Sequence, residues 1–397
     1  MKNKILMLLQ GTFPPDIRLE KEIKSLSEAG YQVLVICNQY KTDSNPQFKY
    51  CEITRIKALF KSEKLNRIIN FPIFFNPRIL LVVIKTLLKF RPHFMHAHDL
   101  PMVPVAILFG KLFRLKIIFD MHENYPAALR FFDQGGIINF IFKNPNLSAV
   151  LEKFCLKWSD KIIVVVDEGK DRLLKSGVDD SKVCVVSNTV DIEQWQSADE
   201  LITAQQNEFA ELNEKKILLY TGRVSIERGL NTAILAMKTL KKSIPEIYLL
   251  IIGNGEYVKT LSNIVQQNEL TDVVKLLKWP GQENLSFFFK IASICIIPQP
   301  RNDFINTTIP HKLFEYMLQQ KPVLTSDAIP FERILGETNC GLCFKSNNPE
   351  NFAAVTQEIL SLKIPFGQNG LNAVYEKYNW ANDAQVLIKL YNDLKSK

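Results

Sequence analysis

Residues 216–253 read KILLYTGRVSIERGLNTAILAMKTLKKSIPEIYLLIIG, and this stretch contains the pattern that identifies the fold class. The apolar runs Lys216–Thr221 and Ile247–Gly253 predict two strands, and a helix opens between them after Gly229. Near-continuous apolar strands that alternate with helices are typical of parallel sheets covered on both faces. The stretch therefore predicts one repeat of a doubly wound α/β domain.

The same alternation of strands and helices runs along the whole chain. In the first half, the predicted strands are Ile5–Leu9, Gln32–Cys37, Phe94–Ala97, Lys116–Asp120, Lys161–Val166 and Val183–Ser187. In the second half, they are Lys216–Thr221, Ile247–Gly253, Val273–Leu277, Ile294–Pro298 and Pro322–Ser326. A polar and acidic segment, Asp191–Glu214, separates the two series. We therefore predict two Rossmann-like domains that face each other across a cleft, with a boundary near residue 190.

The composition is that of a folded protein, with 397 residues of which 47% are hydrophobic. The first apolar run, Ile5–Leu9, is too short for the core of a signal peptide, and charged residues interrupt every longer apolar stretch. The seven cysteines are odd in number and lie mostly in apolar runs. Cys340 and Cys343 form a CxxC pair, but no second pair completes a zinc site. We expect a cytosolic protein with reduced cysteines and no metal centre.

The net charge of +8 is unevenly distributed along the chain. Residues 1–160 contain 23 Lys and Arg against 13 Asp and Glu, whereas residues 161–397 contain 26 against 28. Much of the excess lies in Arg55–Arg91, where basic residues alternate with large apolar ones and Glu63 is the one acid. This combination favours an anionic membrane surface as a partner. No recognised nucleic-acid-binding module accompanies it, and a solvated basic helix with core aromatics is the alternative.

Ligands of doubly wound sheets bind beyond the carboxyl ends of the strands. After the first strand, Gly11 would let the backbone approach a ligand closely, although an ordinary turn explains it equally well. The loop is not GxGxxG, which disfavours a dinucleotide. His122 directly follows a buried strand, beside Glu123, and we expect its side chain to point into the cleft.

Three other histidines lie close to Asp99 in the segment RPHFMHAHDL, namely His93, His96 and His98. Their spacing could mimic a metal cluster. However, successive strand residues point to opposite faces, and no helical HExxH motif accompanies them. We therefore do not predict a metal site there.

In the second half, Arg223 and Arg228 flank the turn that follows the strand Lys216–Thr221. Two guanidinium groups at this spacing can clamp a diphosphate, since arginine is a planar cation with several donors. Salt-bridged surface arginines are the alternative. A second strand end carries Gly253 and Asn254, and a GxG pattern is weak evidence by itself.

The most specific stretch is NTTIPHKLFEYM, residues 306–317. Pro310 suits a first helical position, so the free N–H groups that follow it would face an anion with the helix dipole behind them. Glu315, about one turn into the helix, could accept hydrogen bonds from sugar hydroxyls. In a purely structural helix, the same polar residues would simply be solvated.

These residues resemble the GT-B glycosyltransferases, specifically the large retaining family 4. The matching segments run in family order over nearly the whole chain: FPPDIRLEKEIKSLSEAGYQV, HAHDL, FDMHENYP, SNTVD, TGRVSIERGL, IIGNGE and PHKLFEYMLQQKPV. The resemblance implies an N-terminal acceptor-side domain over 1–190 and a C-terminal nucleotide-sugar-binding domain over 191–379. It also implies that the final helix, about 380–397, crosses back onto the first domain.

The resemblance implies retaining transfer from a nucleotide-diphosphate sugar, without a metal or another cofactor. Arg223 and Arg228 match the family's paired cations on the diphosphate, Glu315 matches the carboxylate that typically holds the ribose, and His122 matches the histidine near the reacting sugar. Amides of Leu313 and Phe314 would meet the phosphates. The remaining residues assigned by position are Gly11, Gly222, Gly253, Asn254 and Thr307 toward the donor, and Asp16, Arg18 and Glu123 toward the acceptor.

One position departs from the family pattern. Thr307 stands where the first Glu of an E-x7-E motif is expected, which we interpret as an altered contact to the donor sugar. The leading interpretation is a glycosyltransferase of cell-surface polysaccharide assembly that acts on a lipid-linked or polysaccharide acceptor at the inner membrane face. The alternatives are an enzyme with a soluble acceptor, a non-catalytic partner subunit and, more remotely, a sugar-nucleotide epimerase.

Overall fold

The structure is a computed structural model that describes residues 3–39, 46–57, 76–131, 144–196, 209, 212, 214–281 and 284–395. The chain divides into two compact units. Unit one is Met1–Ser187 with Asp383–Lys397, and unit two is Asn188–Asn382. Most of the predicted acidic linker, residues 197–208, lies outside the described residues. Among the described residues, none of the helices has the length and apolar character needed to cross a bilayer.

Unit one is built on a parallel seven-stranded sheet in the order β3-β2-β1-β4-β5-β6-β7. Its strands are β1 (Lys4–Thr12), β2 (Gln32–Asn38), β3 (Glu52–Ile56), β4 (Phe94–His98), β5 (Lys116–Met121), β6 (Lys161–Val164) and β7 (Val183–Val185). The central pair is in register from Ile5 opposite Phe94 to Leu8 opposite Ala97. The strands inside the sheet are buried, as their near-continuous apolar sequences predict.

The helices of unit one are α1 (Ile17–Glu28), α2 (Pro77–Phe90), α3 (Val103–Leu112), α4 (Tyr125–Phe131), α5 (Pro145–Trp158) and α6 (Asp167–Lys175). Helix α1 begins where the Asp16 carboxylate accepts a hydrogen bond from the Leu19 N–H. Helices α2 and α5 begin the same way, each with an asparagine cap followed by a proline. Residues of α2, α3 and α5 join one core cluster with alternate residues of the strands, so these three helices cover one face of the sheet.

Unit two repeats the plan with a parallel six-stranded sheet in the order β10-β9-β8-β11-β12-β13. Its strands are β8 (Lys216–Thr221), β9 (Ile247–Ile252), β10 (Val274–Leu277), β11 (Ala292–Ile297), β12 (Val323–Ser326) and β13 (Gly341–Phe344). Its helices are α7 (Ile192–Gln196), α8 (Leu230–Ser243), α9 (Val258–Gln267), α10 (Leu285–Ile291), α11 (His311–Leu318), α12 (Ile329–Thr338), α13 (Pro349–Ser361) and α14 (Phe366–Glu376). Helix α15 (Trp380–Lys395) starts in unit two and continues into unit one from Asp383.

The predicted α/β class with two parallel sheets is confirmed, and each predicted strand is present. The ends differ in places. Strand β1 continues to Thr12, so Gly11 lies in the strand rather than in the loop after it. Strand β7 ends at Val185 rather than at Ser187. Strands β3 and β13 were not predicted, because β3 is short and partly exposed and β13 contains the CxxC segment.

Candidate active site

His122 lies at the carboxyl edge of the unit-one sheet, immediately after β5, and 21% of its side chain is exposed. Its Nε2 lies 3.0 Å from Asp120 Oδ2, and its Nδ1 lies 3.6 Å from Asp99 Oδ2. Burial by itself would lower the pKa of His122, but the two carboxylates outweigh it and raise this pKa to about 10. The ring is therefore an imidazolium at neutral pH, with a carboxylate at each nitrogen.

Asp99 holds an unusual backbone conformation beside this ring, with a φ of 60°. For a residue other than glycine, such a conformation costs on the order of 1–3 kcal/mol and persists only where the surroundings impose it. Here the Asp99 N–H donates to the Asp120 carbonyl at 2.9 Å, and the Asp99 carboxylate accepts from the His122 N–H at 3.2 Å. The strained turn thus brings the Asp99 carboxylate to both the backbone and the ring of His122.

Arg18, which the sequence assigned toward the acceptor, has a buried side chain, and that assignment stays a prediction. Its guanidinium lies 3.0 Å from Asp120 through Nη2 and 3.0 Å from Glu22 through Nε, and it donates to the Val186 carbonyl. The pKa of Asp120 is held well below its usual value: burial would raise it, and the charges of Arg18 and His122 lower it. The Arg18 guanidinium therefore holds the Asp120 and Glu22 carboxylates in position.

His96 and His98 are two residues apart on β4 and share a face, so the alternation of strand residues does not separate these two histidines. Their rings stack with centroids 4.4 Å apart, and the His96 ring also hydrogen-bonds through Nδ1 to the Tyr391 hydroxyl at 2.7 Å. Burial lowers the pKa of both imidazoles, that of His98 to about 3. Both rings are therefore neutral at physiological pH.

Glu22, His96, His98 and Asp120 bring four potential metal-ligand atoms within 4.8 Å of one another. However, Arg18 already lies on both carboxylates, and burial together with the Asp120 charge raises the pKa of Glu22 to about 8. With Glu22 protonated, the charges of Arg18 and His122 balance those of Asp120 and Asp99. A dication would have to displace Arg18 and leave a guanidinium buried without a carboxylate, so the donor set fits an ion-pair network better than a metal centre.

The other unit-one residues assigned from the sequence occupy the surroundings of this network. The Asp16 carboxylate caps α1, accepting from the Leu19 N–H at 3.1 Å. Glu123 is half-buried next to His122, and Gly11 is exposed near the end of β1. Their roles toward an acceptor or donor stay predictions.

In unit two, the turns after β8 and β9 pack backbone against backbone. The Val224 N–H donates to the Asn254 carbonyl at 2.9 Å, and the Gly222 N–H donates to the Ile252 carbonyl at 2.9 Å. A Cβ on Gly253 would lie 1.7 Å from the Gly222 carbonyl oxygen, and Gly222 itself has a φ of 121°. Only glycine fits at either position. The predicted donor residues Gly222, Gly253 and Asn254 are therefore brought together at one edge of the sheet.

The two arginines predicted for the diphosphate differ in their surroundings. Arg223 is 65% exposed and forms a surface ion pair with Glu256, with Nη2 3.2 Å from Oε2. Arg228 is half-buried, and its Nε is buried without a hydrogen-bond partner among the described residues. Gly229 follows with a φ of 66°, where a Cβ would lie 2.0 Å from the Pro298 carbonyl oxygen. This close approach fixes Arg228 against the segment that follows β11.

Helix α11 begins at His311, so Pro310 is its cap and not its first residue, one position from the prediction. The Leu313 N–H, predicted to meet a phosphate, donates to the Pro310 carbonyl at 3.2 Å. The amides that open the helix are therefore those of His311 and Lys312. The side chains of Leu313 and Phe314 are fully buried in the core.

Lys312 is a candidate site residue that the sequence reasoning missed. Its Nζ lies 3.7 Å from the centroid of the Tyr220 ring and 3.0 Å from where a Cβ on Gly222 would be. Burial, followed by the nearby charge of Arg228, holds the pKa of Lys312 well below its usual value, while Glu315 acts in the opposite direction. Its position two residues after the helix-starting proline was the available signal, because it places a cation at an anion-binding helix start.

Thr307 occupies a 3₁₀ turn, Ile305–Thr307, ahead of α11. Its hydroxyl lies 3.1 Å from the carbonyl oxygens of Asp303 and Phe304, to which it donates. The hydroxyl therefore closes its own turn. Where the family pattern has a carboxylate, this chain therefore has a threonine hydroxyl that already donates a hydrogen bond within its own turn.

Two family profiles match the chain. Residues 19–194 match the family described as Glycosyltransferase Family 4, and residues 202–377 match Glycosyl transferases group 1. Together they cover both units. The matched segments contain His122 and Asp120 in the first case and Arg228, Lys312 and Glu315 in the second.

Curated relatives are also glycosyltransferases. An uncharacterized glycosyltransferase of Methanocaldococcus jannaschii is 25% identical over 45% of this chain and 45% of its own length, so the match spans about half of that relative. The capsular polysaccharide biosynthesis glycosyltransferase CapM of Staphylococcus aureus is 20% identical over 75% of this chain and 84% of its own. The alpha-monoglucosyldiacylglycerol synthase of Acholeplasma laidlawii is 19% identical over 73% and 71%.

Solved structures share the fold over the full length. The sucrose-phosphate synthase of Thermosynechococcus elongatus superimposes with a TM-score of 0.80 at 17% identity, covering 100% of both chains. Anabaena HepE in complex with UDP-glucose has a TM-score of 0.72 at 15% identity, covering 98% of this chain and 99% of its own. These likenesses establish the two-domain architecture.

Proposed function

Because this chain belongs to the family 4 type glycosyltransferases of the GT-B fold, we propose that it transfers a sugar, with retention of configuration, from a nucleotide-diphosphate sugar to a lipid-linked or cell-surface polysaccharide acceptor. The observation that carries the donor assignment is that Lys312 lies beside Gly222 in unit two, within the electrostatic reach of both Arg228 and Glu315. The start of helix α11 brings the Lys312 side chain to this backbone edge.

The leaving group of such a donor is a nucleoside diphosphate, which gains negative charge as the bond to the sugar breaks. Preorganised cations in a water-poor site stabilise this charge far better than cations in bulk water. Arg228 meets that description. Burial lowers the pKa of Lys312, so a bound diphosphate would favour the charged form of this amine, and the amides at the start of α11 add dipolar stabilisation. Glu315, one turn further along α11, is assigned to the ribose hydroxyls.

The protonation state of His122 supports same-face transfer without a protein base. In this mechanism the C1–O bond to the diphosphate breaks, the acceptor oxygen bonds C1, and the acceptor proton passes to an oxygen of the departing phosphate. His122 is an unsuitable base for that proton, since the Asp99 and Asp120 carboxylates keep it an imidazolium. The family resemblance assigns His122 to the reacting sugar, where its charge would stabilise the transition state rather than accept a proton.

The acceptor assignment rests on charge and on relatives. Unit one carries most of the basic excess of the chain. CapM is named for capsular polysaccharide biosynthesis, and another relative is named as a diacylglycerol glycoside synthase. We therefore place the reaction at the cytoplasmic face of a membrane, with an anionic lipid surface as a partner and without nucleic acid. A soluble acceptor predicts full activity without lipid.

The proposal is tested by titrating the purified protein with a panel of nucleotide sugars and measuring thermal shift and sugar-nucleotide hydrolysis. We expect one nucleotide sugar to stabilise the protein and to be hydrolysed slowly without acceptor. Glu315→Ala and Arg228→Gln should each weaken that binding, whereas Arg223→Ala should weaken it less, because Arg223 is solvated. Binding without any hydrolysis would instead identify a non-catalytic subunit. If no sugar nucleotide binds, the donor assignment is wrong.

A further inference from the structure

The outward sides of α3 and α5 expose large apolar residues that a soluble surface normally buries. Val150 and Leu112 are 65% and 70% exposed, and the other members are Leu108, Leu147, Phe154 and Trp158. Helix α5 presents its four at spacings of three and four residues, so they form one stripe along the helix. Contiguous exposed apolar surface of this kind marks an interaction site.

Lysines border this stripe. Lys111 of α3 reaches across to α5, with its Nζ 5.7 Å from the centroid of the Trp158 ring. Lys153 and Lys157 of α5 are exposed. The only acid within α3 and α5 as described is Glu152, which is buried and paired with Arg172 at 2.7 Å. The outward side is therefore both apolar and purely cationic.

A depression beside the end of α5 continues the positive surface. It has a volume of about 440 Å³, and Lys153, Lys157 and Lys182 line it, with Asp179 as its one acid. The Lys182 ammonium donates to the carbonyls of Lys157 and Ser159, which fixes its position at the rim. The depression offers three cations to an anionic group next to apolar side chains.

Helix α2, which covers the same face of the sheet, extends the pattern. Leu81 and Leu88 are exposed there together with Lys85 and Lys89, and α2 contains no acid. About half of the basic and apolar segment identified in the sequence, residues 58–75, lies outside the described residues. Of its described members, Arg55 and Arg78 donate to backbone carbonyls rather than to solvent.

We propose that the outward sides of α3 and α5 form the surface by which this protein docks on an anionic lipid bilayer. The apolar stripe enters the headgroup boundary, and the surrounding lysines face lipid phosphates. A lipid bilayer is the occupant because the surface joins apolar side chains with cations, and the described residues of α3 and α5 offer no exposed acid to a basic partner. This inference rests on the proposed membrane acceptor, and it names the surface that brings unit one to it.

The test is co-sedimentation of the whole protein with phosphatidylcholine vesicles, with and without phosphatidylglycerol. We expect enrichment on the anionic vesicles. Lys153→Gln with Lys157→Gln should lower this partition about thirty-fold, since each lysine near such a surface contributes about 1 kcal/mol. Val150→Ser with Phe154→Ser should lower binding to both vesicle types. Because all four side chains are exposed, these variants should fold normally.

Matched controls lie in unit two. Lys238→Gln with Lys259→Gln removes the same charge from exposed positions, and Leu362→Ser with Tyr375→Ser removes exposed apolar groups. Both controls should bind vesicles as the wild type does. Equal binding by the α5 variants, or a change in oligomeric state measured by light scattering in place of vesicle binding, would overturn the assignment.

The nucleotide-sugar titration separates the two proposals. A protein that binds a sugar nucleotide but no vesicle refutes the docking surface and leaves the donor assignment intact. A protein that binds anionic vesicles through α5 but no sugar nucleotide refutes the donor assignment and leaves the surface intact.

Discussion

Lys312 and Arg223 carry the same formal charge but differ in how much water surrounds them. The Arg223 guanidinium is largely solvated and paired with Glu256, whereas the Lys312 ammonium is packed against the Tyr220 ring and beside Gly222. A charge in a water-poor site interacts several times more strongly with a ligand than one in bulk solvent. We therefore expect the less conspicuous cation to contribute more to diphosphate binding.

Replacing Lys312 by glutamine should weaken binding of the nucleoside diphosphate by about 10–100-fold, since a hydrogen bond between charged groups contributes about 1.5–3 kcal/mol. The same nucleoside monophosphate should lose less, because it lacks the second phosphate. Isothermal titration with both nucleotides measures the difference. Lys238→Gln, on the exposed side of α8, is the matched control and should change neither affinity. Equal losses for both nucleotides would place Lys312 away from the diphosphate.

The network beneath His122 also makes a residue-scale prediction about pH. The pKa of His122 is raised to about 10 and that of Glu22 to about 8, so in the folded state both groups hold their protons more tightly than in the unfolded chain. Their stabilisation is complete below the unfolded pKa values, near 4.5 for Glu22 and 6.5 for His122. It is lost as the pH rises through 8 and 10. Alkaline conditions should therefore destabilise unit one.

Urea unfolding between pH 4.5 and 10 measures this loss, which we expect to amount to a few kcal/mol. Glu22→Gln should flatten the curve between pH 4.5 and 8, because glutamine keeps the shape of the protonated acid and cannot lose a proton. His122→Gln should flatten it between pH 6.5 and 10. A wild-type stability that rises over this range would show that the folded state does not retain these protons.

At the scale of elements, the sequence predicted those features that depend on residues close together in the chain. Apolar runs located the strands, and Pro310 located the start of α11 to within one residue, because burial and capping act within a few residues. Strand β3 escaped prediction since its residues EITRI are partly exposed on an edge of the sheet. The His122 network escaped for a different reason. It joins α1, β4, β5 and α15, and no local pattern reports contacts between residues as far apart as His96 and Tyr391.

Gly229 allows a specific prediction about the turn that precedes α8. Gly229→Ala should destabilise unit two by about 2–4 kcal/mol, because its positive φ disfavours a side chain and the new Cβ would meet the Pro298 carbonyl oxygen. Gly336→Ala in α12 is the control, since open space surrounds that position and alanine favours a helix by about 0.5–1 kcal/mol. Thermal unfolding compares the two. A neutral Gly229→Ala would mean that the turn before α8 relaxes freely.

At the scale of the whole molecule, we propose that the two units bind different kinds of negative charge. Unit two is assigned a few desolvated cations for a diphosphate, whereas unit one carries its excess on exposed helices. Salt should separate the two, because exposed charges are screened within about 8–10 Å at physiological ionic strength and buried ones are not. Each unit has its own sheet and core, which hold the charged side chains of that unit in place.

Helix α15 shows how far that independence extends, because its residues after Asp383 complete the core of unit one. Tyr391 is fully buried against His96 and Phe94, while Tyr375 in α14 is exposed. Tyr391→Ala should destabilise unit one by about 3–5 kcal/mol, since it leaves a cavity and removes the partner of the His96 ring.

Hydrogen exchange resolves where the effect of Tyr391→Ala falls. Amides of β1 and β4 should lose protection, while those of β8 and β9 keep it, because opening free energies belong to local cooperative units. Tyr375→Ala should alter neither set. Nucleotide-sugar binding should survive in both variants, since the donor residues lie in unit two. Equal loss of protection in both sheets would show that the two units unfold as one, and the C-terminal helix would then be a structural link rather than a part of unit one alone.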